Sequence, residues 1–211
     1  LLKKSKGVSK MRYIHCKEQA QMIRKRLKQE FPGTKFSVRI GSDHGRIDIR
    51  YTNGPGKKAV QEIVNQYEGG GFDGMIDMEY HVSHMILPDG QVCLYKSSGT
   101  TDSGGYVPPH ESKLPEGAEI VSFMCNYIFV HKECTVGVLK AVLAHIEKKY
   151  PQCMGLIGIC EYSDGTGCFN TRRWEDDQHI NGDPGMARYV CQELYDIAYN
   201  EKPSIVKMGV A

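Results

Sequence analysis

The sequence predicts an α+β fold built from two helix-hairpin-helix units with mainly antiparallel sheets. Short segments in which apolar and polar residues alternate come in pairs around turns, which indicates β-hairpins. Apolar residues at helical spacing lie before and after these pairs, and the same order of elements occurs in both halves of the chain. With 211 residues, of which 40% are hydrophobic and 25% charged, the chain can bury a core.

The first unit is predicted over residues 11–96. Residues 15–31 have the apolar spacing of an amphipathic helix, which Pro32 ends. The segments KFSVRI and RIDIRY alternate apolar with charged residues and predict a hairpin with one apolar and one charged face. Asn53-Gly54-Pro55 opens a second helix, and we expect the three glycines at 69–71 to cap its end.

A further strand, MIDMEYHV, is predicted with Ile76 and Met78 on its inner side and QVCLY as its partner. Asp73 precedes Gly74, and this pair is typical of a tight turn in which the carboxylate accepts backbone N–H bonds. We expect Phe72 to fill the core beneath that turn. The FDGMID stretch is therefore interpreted as turn chemistry rather than as a catalytic site.

The second unit is predicted over residues 118–211, after a linker or long loop at 97–117 that is rich in Gly, Ser and Pro. EIVSFMCNYIFVH indicates one strand buried on both sides, and a helix follows it as far as Tyr150. A hairpin and a helix from about Gly185 complete the unit. The repeated order is consistent with an internal duplication, but few residues are identical, so the duplication is one of two open interpretations.

Charge is distributed very unevenly along the chain. Up to Lys58 there are 16 Lys and Arg against 4 Asp and Glu, and the remainder has 11 against 21, which together give the net charge of +2. Clustered cations bind phosphate, so the basic part predicts a nucleic-acid or acidic-protein partner, although cations on an exposed helix can also be merely solvated. The predicted binding residues are Lys17, Arg24, Lys25, Lys28, Lys35, Arg39, Arg46 and Arg50.

Two other groups are candidate sites. Asp77, Glu79 and His81 alternate on one predicted strand face, where they could hold a divalent ion for phosphodiester hydrolysis or form cross-strand ion pairs with the basic hairpin. The sequence around Arg172, Arg173 and Trp174 suggests a loop. It is interpreted either as a protein-contact surface, since Trp and Arg anchor interfaces, or as an ordinary capped loop.

The remaining features indicate where the protein is located and whether it needs a cofactor. The eight cysteines are scattered, with no C-x-x-C motif, and we expect most of them to be reduced core residues. No apolar run approaches the roughly 20 residues of a membrane helix, and no secretory signal is recognisable. We therefore expect a cytoplasmic location, no membrane partner and no cofactor.

The segments AQMIRKRLKQEFPGTKFSVRI and IDIRYTNGPGKKAVQEIVNQYEGGGFDGMIDM give the clearest resemblance. Over residues 13–82 the chain resembles large polyvalent protein-associated domain twenty-nine, a domain of multi-domain proteins of phages and conjugative elements. The resemblance implies an accessory module of proteins that protect or establish incoming mobile DNA, located in the cytoplasm of a bacterial host. It supplies no catalytic residues.

The leading prediction is a non-enzymatic phage or mobile-element protein that acts against host defence; the resemblance alone implies this role, for example as an anti-CRISPR or anti-restriction protein. Its partner would be a host defence nucleoprotein, or the nucleic acid of that nucleoprotein, bound through the basic amino-terminal face. The alternative functions are a metal-dependent nuclease or hydrolase and a structural module that forms a homodimer.

Overall fold

The α+β class is confirmed by the structure, a computed structural model that describes residues 11–42, 45–97 and 115–200. Contacts within the chain divide it into two compact units, neither of which is a continuous half of the sequence. Unit 1 consists of Leu1–Gln29, Val38–Ile49 and Glu62–Phe129, and unit 2 consists of Glu30–Ser37, Arg50–Gln61 and Val130–Ala211.

The helices of the described residues are α1 (Cys16–Glu30), α2 (Lys57–Val64), α3 (Val136–Lys149), α4 (Arg172–Asn181) and α5 (Pro184–Tyr195). The strands are β1 (Arg12–Ile14), β2 (Ser37–Ile40), β3 (Arg46–Thr52), β4 (Gly70–Asp73), β5 (Met78–Ile86), β6 (Val92–Ser97), β7 (Glu119–Phe123), β8 (Tyr127–Thr135), β9 (Gly158–Glu161) and β10 (Thr166–Asn170).

The strands form two five-stranded sheets. The first belongs to unit 1 and has the order β1-β7-β5-β4, with β6 also paired to β5. The pairing of β1 with β7 is parallel, whereas β5 pairs antiparallel with β4, β6 and β7, so this sheet is mixed. The second sheet has the order β2-β3-β8-β10-β9. A duplication of helix-hairpin-helix units is not shown by this arrangement and stays a prediction.

The first predicted helix and hairpin are confirmed. On α1 the buried side chains recur at helical spacing, and Val38 on β2 and Ile47 on β3 lie on the buried face of the hairpin. The same α1 face contains one polar residue, Gln19, whose side chain is fully buried. Local sequence patterns therefore determine this part of unit 1.

The three glycines do not cap α2, so that expectation is wrong. Gly70 and Gly71 lie in β4, which pairs with Tyr80 and His81 of β5. A Cβ atom at Gly70 would stand 2.6 Å from the Tyr80 carbonyl oxygen, and one at Gly69 would overlap the Phe123 carbonyl. The glycines are required because neighbouring backbone approaches too closely for a side chain.

The hairpin of β4 and β5 also differs from the prediction in which residues it buries. Phe72 is 54% exposed, and Ile76 and Met78 are exposed as well, so none of them fills the core. Asp73 is the buried residue, and its Oδ1 accepts a hydrogen bond from the Met75 backbone at 3.0 Å. The tight turn at Asp73 is thus confirmed, whereas the inward side of the strand is not.

The predicted single strand EIVSFMCNYIFVH is two strands, β7 and β8, separated by residues 124–126. The Met124 amide donates to the Ile14 carbonyl, and the Cys125 carbonyl accepts a hydrogen bond from Gly69. These long-range bonds turn the chain where the apolar pattern alone gives no break. The predicted linker at 97–117 lies almost entirely outside the described residues, and the domain boundaries stay a prediction.

In unit 2, α3 packs with the β9–β10 hairpin and α5 around one buried cluster, as the sequence predicts. The polar stretch before α5 is helix α4 rather than a loop. Trp174 on α4 is fully buried in that cluster, because the apolar faces of α3 and α5 surround it. The expectation of an exposed Trp174 loop is therefore wrong.

The expectation that most of the cysteines are reduced agrees with the structure, which has one disulfide among the described residues. Cys16 at the start of α1 forms a disulfide with Cys125 in unit 1. The other six cysteines are free thiols, and Cys134, Cys153 and Cys191 of these are buried. In the part of the chain the structure describes, no helix is long and apolar enough to cross a membrane.

Candidate anion-binding surface

The exposed side of α1 carries four of the predicted cations. Lys17, Arg24 and Lys28 are separated by seven and four residues, which places them on one stripe, with Lys25 about a quarter turn away. All four are exposed, and the buried stripe that includes Ile23 faces another direction. The amphipathic pattern of α1 thus leaves its cations in solvent.

One hydrogen bond links α1 to β2 within unit 1. The Arg24 guanidinium donates to the Val38 carbonyl at 2.5 Å. At the start of the helix, Cys16 and Lys17 line one groove together with Ile40 at the end of β2. Arg39, the residue after Val38 on β2, is exposed as well.

The pairing of the cations decides which of them are available to a ligand. Arg46 forms an ion pair with Asp48 at 3.4 Å, and Arg24 is engaged by the Val38 carbonyl. Within the described residues of unit 1 the remaining predicted cations are exposed and make no ion pair. These cations are Lys17, Lys25, Lys28 and Arg39. We call these four side chains the basic surface.

Arg12, in the same unit, is a cation whose charge is neutralised by two carboxylates. Its guanidinium donates to Glu18 at 2.8 Å and to Glu119 at 2.7 Å. These two hydrogen bonds raise the pKa of Arg12, the one to Glu18 contributing most. Among the described residues the cations of the basic surface make no such ion pair, although Lys25 lines a groove that also includes Asp89.

Lys35 and Arg50 belong to unit 2 and are considered separately. They line a groove with Phe36 and Tyr51, whose rings lie 4.9 Å apart. The Arg50 guanidinium is 3.7 Å from the carboxylate of Glu133, which also lines this groove. Arg50 is thus partly neutralised by an acid from the carboxyl-terminal half, whereas Lys35 is exposed.

The alternative metal site is not assembled. Asp77 lies in the turn before β5, with a positive φ of 54°, and not on the strand face with Glu79 and His81. Glu79 accepts a hydrogen bond from the Tyr127 hydroxyl at 3.0 Å. In the described residues no three His, Cys, Asp or Glu side chains come close enough together to hold a metal ion.

The sequence did not indicate an apolar patch at the end of the β4–β5 hairpin. Four large apolar side chains of this hairpin are exposed, whereas alternation predicted the inner side of a strand for two of them. They are Phe72, Met75, Ile76 and Met78. Alternation within the strand cannot reveal this patch, because the exposure of these side chains depends on whether another segment covers this end of the hairpin. That could be judged only if the partner strands were known.

Of the three residues predicted to contact a protein partner after β10, only the two arginines are exposed. Arg172 and Arg173 are exposed at the start of α4, and Arg172 lies 3.9 Å from Asp176 one turn later. Trp174 offers no surface to a partner, since it lies in the core. A contact through the arginines alone stays a prediction.

The structure thus shows an α+β protein with exposed cations on α1 and β2. Its family is clear from comparison with known families. The chain belongs to the large polyvalent protein associated domain 29 family, whose model matches residues 14–135, more than half of the chain. The match extends beyond the resemblance at residues 13–82 to include β8. No curated protein and no solved structure matches the chain.

Proposed function

We propose that this protein is a non-enzymatic accessory module that binds nucleic acid through the basic surface of α1 and β2. The single observation that carries the proposal is the set of four exposed cations, Lys17, Lys25, Lys28 and Arg39, without ion pairs among the described residues of unit 1. Each cation that neutralises a phosphate releases counterions, so such a set binds a phosphate backbone without reading its sequence.

The arrangement of the surface supports a polymer rather than a small anion as the ligand. The cations are spread along three turns of one helix and the neighbouring strand β2. Extended rows of cations suit a chain of phosphates, whereas a single phosphate is held by convergent donors. Aromatic side chains for base stacking are not part of this surface, so it has no base preference.

The test compares two double charge reversals of identical net charge. Lys25→Glu with Lys28→Glu alters the basic surface, and Lys140→Glu with Lys148→Glu alters exposed positions of α3. Binding of a fluorescein-labelled DNA duplex and of a single-stranded RNA is measured by fluorescence anisotropy. We expect the first variant to lose about tenfold or more in affinity and the second to change little. Equal losses would contradict the proposal.

Arg24 is kept out of the variant set for a structural reason. Its guanidinium binds the Val38 carbonyl, so a change to Glu would disturb the packing of α1 as well as the charge. Thermal unfolding of both double variants provides the folding control. A midpoint close to that of the unchanged protein is expected for each, because all four lysines are exposed.

The narrower role follows from the family and not from the geometry. Members of this family accompany polyvalent proteins, and we propose that the nucleic acid belongs to a host defence nucleoprotein, as in an anti-CRISPR or anti-restriction function. Affinity capture from host lysate, with and without nuclease treatment, tests this role. Capture that nuclease abolishes supports a nucleic-acid partner, and capture that persists assigns the contact to protein.

The same binding mixtures test the enzymatic alternative. Plasmid DNA and RNA are incubated with the protein and with Mg²⁺ or Mn²⁺, and their lengths are followed on gels. A binding module leaves both polymers intact. Cleavage that Asp77→Asn or Glu79→Gln abolishes would replace this proposal with the nuclease hypothesis.

A further inference from the structure

Two free cysteines of unit 2 lie directly opposite each other on the β9–β10 hairpin. The register of this antiparallel pair places Cys168 across from Cys160. Cys160 is exposed and Cys168 is half-buried, and neither belongs to the buried cluster of the unit. Their thiols are therefore accessible to small molecules, unlike those of Cys134, Cys153 and Cys191.

The turn of this hairpin determines the geometry of the cysteine pair. The Tyr162 amide donates to the Thr166 carbonyl at 2.8 Å, and Gly165 has a φ of 80° that permits the three-residue turn between them. Hydrogen-bonded pairs alternate along an antiparallel ladder, so the pair two residues further on, Cys160 with Cys168, is also hydrogen-bonded.

The spacing of such a pair permits a disulfide. The Cα atoms of a hydrogen-bonded pair lie about 5.5 Å apart, inside the range of about 4.4–6.8 Å found for disulfides. Their Cβ atoms lie about 4.5–5.5 Å apart, whereas a disulfide holds them about 3.8 Å apart. Bridging must draw the strands together, and a disulfide formed under this constraint is readily reduced.

Tyr162 favours reaction at one of the two sulfurs. Its hydroxyl donates a hydrogen bond to the Cys168 Sγ at 3.0 Å. The pKa of Tyr162 is raised, first through this hydrogen bond, so the phenol keeps its proton at neutral pH. The Cys168 sulfur is engaged by this donor, whereas Cys160 is the more exposed of the two and is the sulfur that a small disulfide reaches first.

We propose that Cys160 and Cys168 form a reversible redox site whose oxidant is a low-molecular-weight disulfide. The exposed Cys160 thiolate attacks one sulfur of the small disulfide, which forms a mixed disulfide and releases the first small thiol. The Cys168 thiolate then attacks the Cys160 sulfur and releases the second small thiol. The two cysteines lose two electrons, the small disulfide gains them, and both protons end on the released thiols.

This site differs from the Cys16–Cys125 disulfide in how strongly its bond is held. Cys16 and Cys125 are 109 residues apart in the sequence, and their bond closes a long loop. The Cys160–Cys168 bond would close only the hairpin, which stabilises the fold less, and would form against the spacing of the strands. We expect reduced glutathione to open the hairpin disulfide at concentrations that leave Cys16–Cys125 intact.

The test uses the full chain in buffers of defined ratios of oxidised to reduced glutathione. After alkylation of free thiols and denaturation, cleavage after glutamate cuts at Glu161 and separates Cys160 from Cys168. Mass spectrometry without reduction then detects the two fragments as one linked species. We expect this species in oxidising buffer and its disappearance in reducing buffer.

Three variants distinguish the proposed Cys160–Cys168 bond from other cysteine pairings. Cys160→Ser and Cys168→Ser should each abolish the linked species, and Cys93→Ser in unit 1 should leave it unchanged. A linked species that persists in Cys160→Ser would assign the bond to Cys153 and overturn the proposal. Absence of the link at every ratio, or linkage only between molecules, would overturn it as well. Unchanged thermal unfolding of the reduced variants shows that they fold.

Discussion

Gln19 and Cys125 are joined by two reciprocal hydrogen bonds in the interior of unit 1. The Gln19 Nε2 donates to the Cys125 carbonyl at 3.0 Å, and the Cys125 amide donates to the Gln19 Oε1 at 3.0 Å. Gln19 Nε2 also donates to the Tyr67 carbonyl at 2.7 Å. One side chain of α1 thus satisfies the buried backbone where the chain leaves β7.

Gln19→Ala should lower the free energy of unfolding by about 2–4 kcal/mol. The substitution leaves the buried Cys125 amide and Tyr67 carbonyl without the Gln19 side chain, whereas the Cys125 carbonyl keeps its hydrogen bond from Gly69. Each unsatisfied buried group costs about 1–3 kcal/mol. Urea unfolding followed by circular dichroism measures the change. Gln21→Ala, on the exposed side of the same helix, is the matched control and should shift the value by less than about 0.5 kcal/mol. A similar loss in both variants would contradict the role of Gln19.

Gly70→Ala should destabilise the protein by about 1–3 kcal/mol, because its Cβ would meet the Tyr80 carbonyl oxygen at 2.6 Å. Gly74→Ala is the control, since no atom lies within 4 Å of a Cβ at that position. Thermal and urea unfolding of the two variants are compared. If Gly70→Ala were as stable as Gly74→Ala, the glycines would not be needed for close backbone approach.

Phe72→Ala should cost less than about 0.5 kcal/mol of unfolding free energy, because the side chain is mostly in solvent. The same substitution at Phe123, which is buried against the rings of Tyr67 and His84, should cost about 3–5 kcal/mol. Unfolding of the two variants in urea distinguishes them directly. A large loss at Phe72 would restore the sequence-based expectation that this ring fills the core.

Stability should fall as the pH is lowered from about 6.5 to 4, in part because of His84. The imidazole is fully buried, both ring nitrogens lack hydrogen-bond partners in the described structure, and burial lowers its pKa to about 4. The folded state binds the proton less tightly than the unfolded state, whose pKa is about 6.5. The stability that neutral His84 contributes is fully present above pH 6.5. Acidification removes up to about 3 kcal/mol of it.

The measurement is the free energy of unfolding in urea at a series of pH values between 7 and 4. His84→Leu should remove most of this slope, and His15→Gln, at an exposed position, should retain it. Identical slopes for the unchanged protein and His84→Leu would show that other groups cause the acid sensitivity.

Elements that depend on neighbours in sequence could be predicted. The β2–β3 hairpin and helix α1 follow from the alternation and helical spacing of apolar residues, and their buried side chains are those expected. The tight turn at Asp73 follows from the preference of Asp-Gly for turns. In each case the cause lies within a few residues of the effect.

Features that depend on distant segments could not be predicted. The glycines at 69–71 could equally end a helix, and only the approach of Phe123 and Tyr80 explains why no side chain fits at these positions. Trp174 stands among charged residues, and its burial depends on the faces of α3 and α5. The basic character of α1 was evident from composition, but its position along β2 depends on the Arg24 contact with Val38.

The most direct test of the basic surface is the salt dependence of nucleic-acid binding. The logarithm of the association constant for a DNA duplex is plotted against the logarithm of the salt concentration. For the Lys25→Glu, Lys28→Glu variant the account predicts a slope smaller by about 2 than that of the unchanged protein, about one unit for each lost phosphate contact. An unchanged slope, or no binding by the unchanged protein at low salt, would contradict the account.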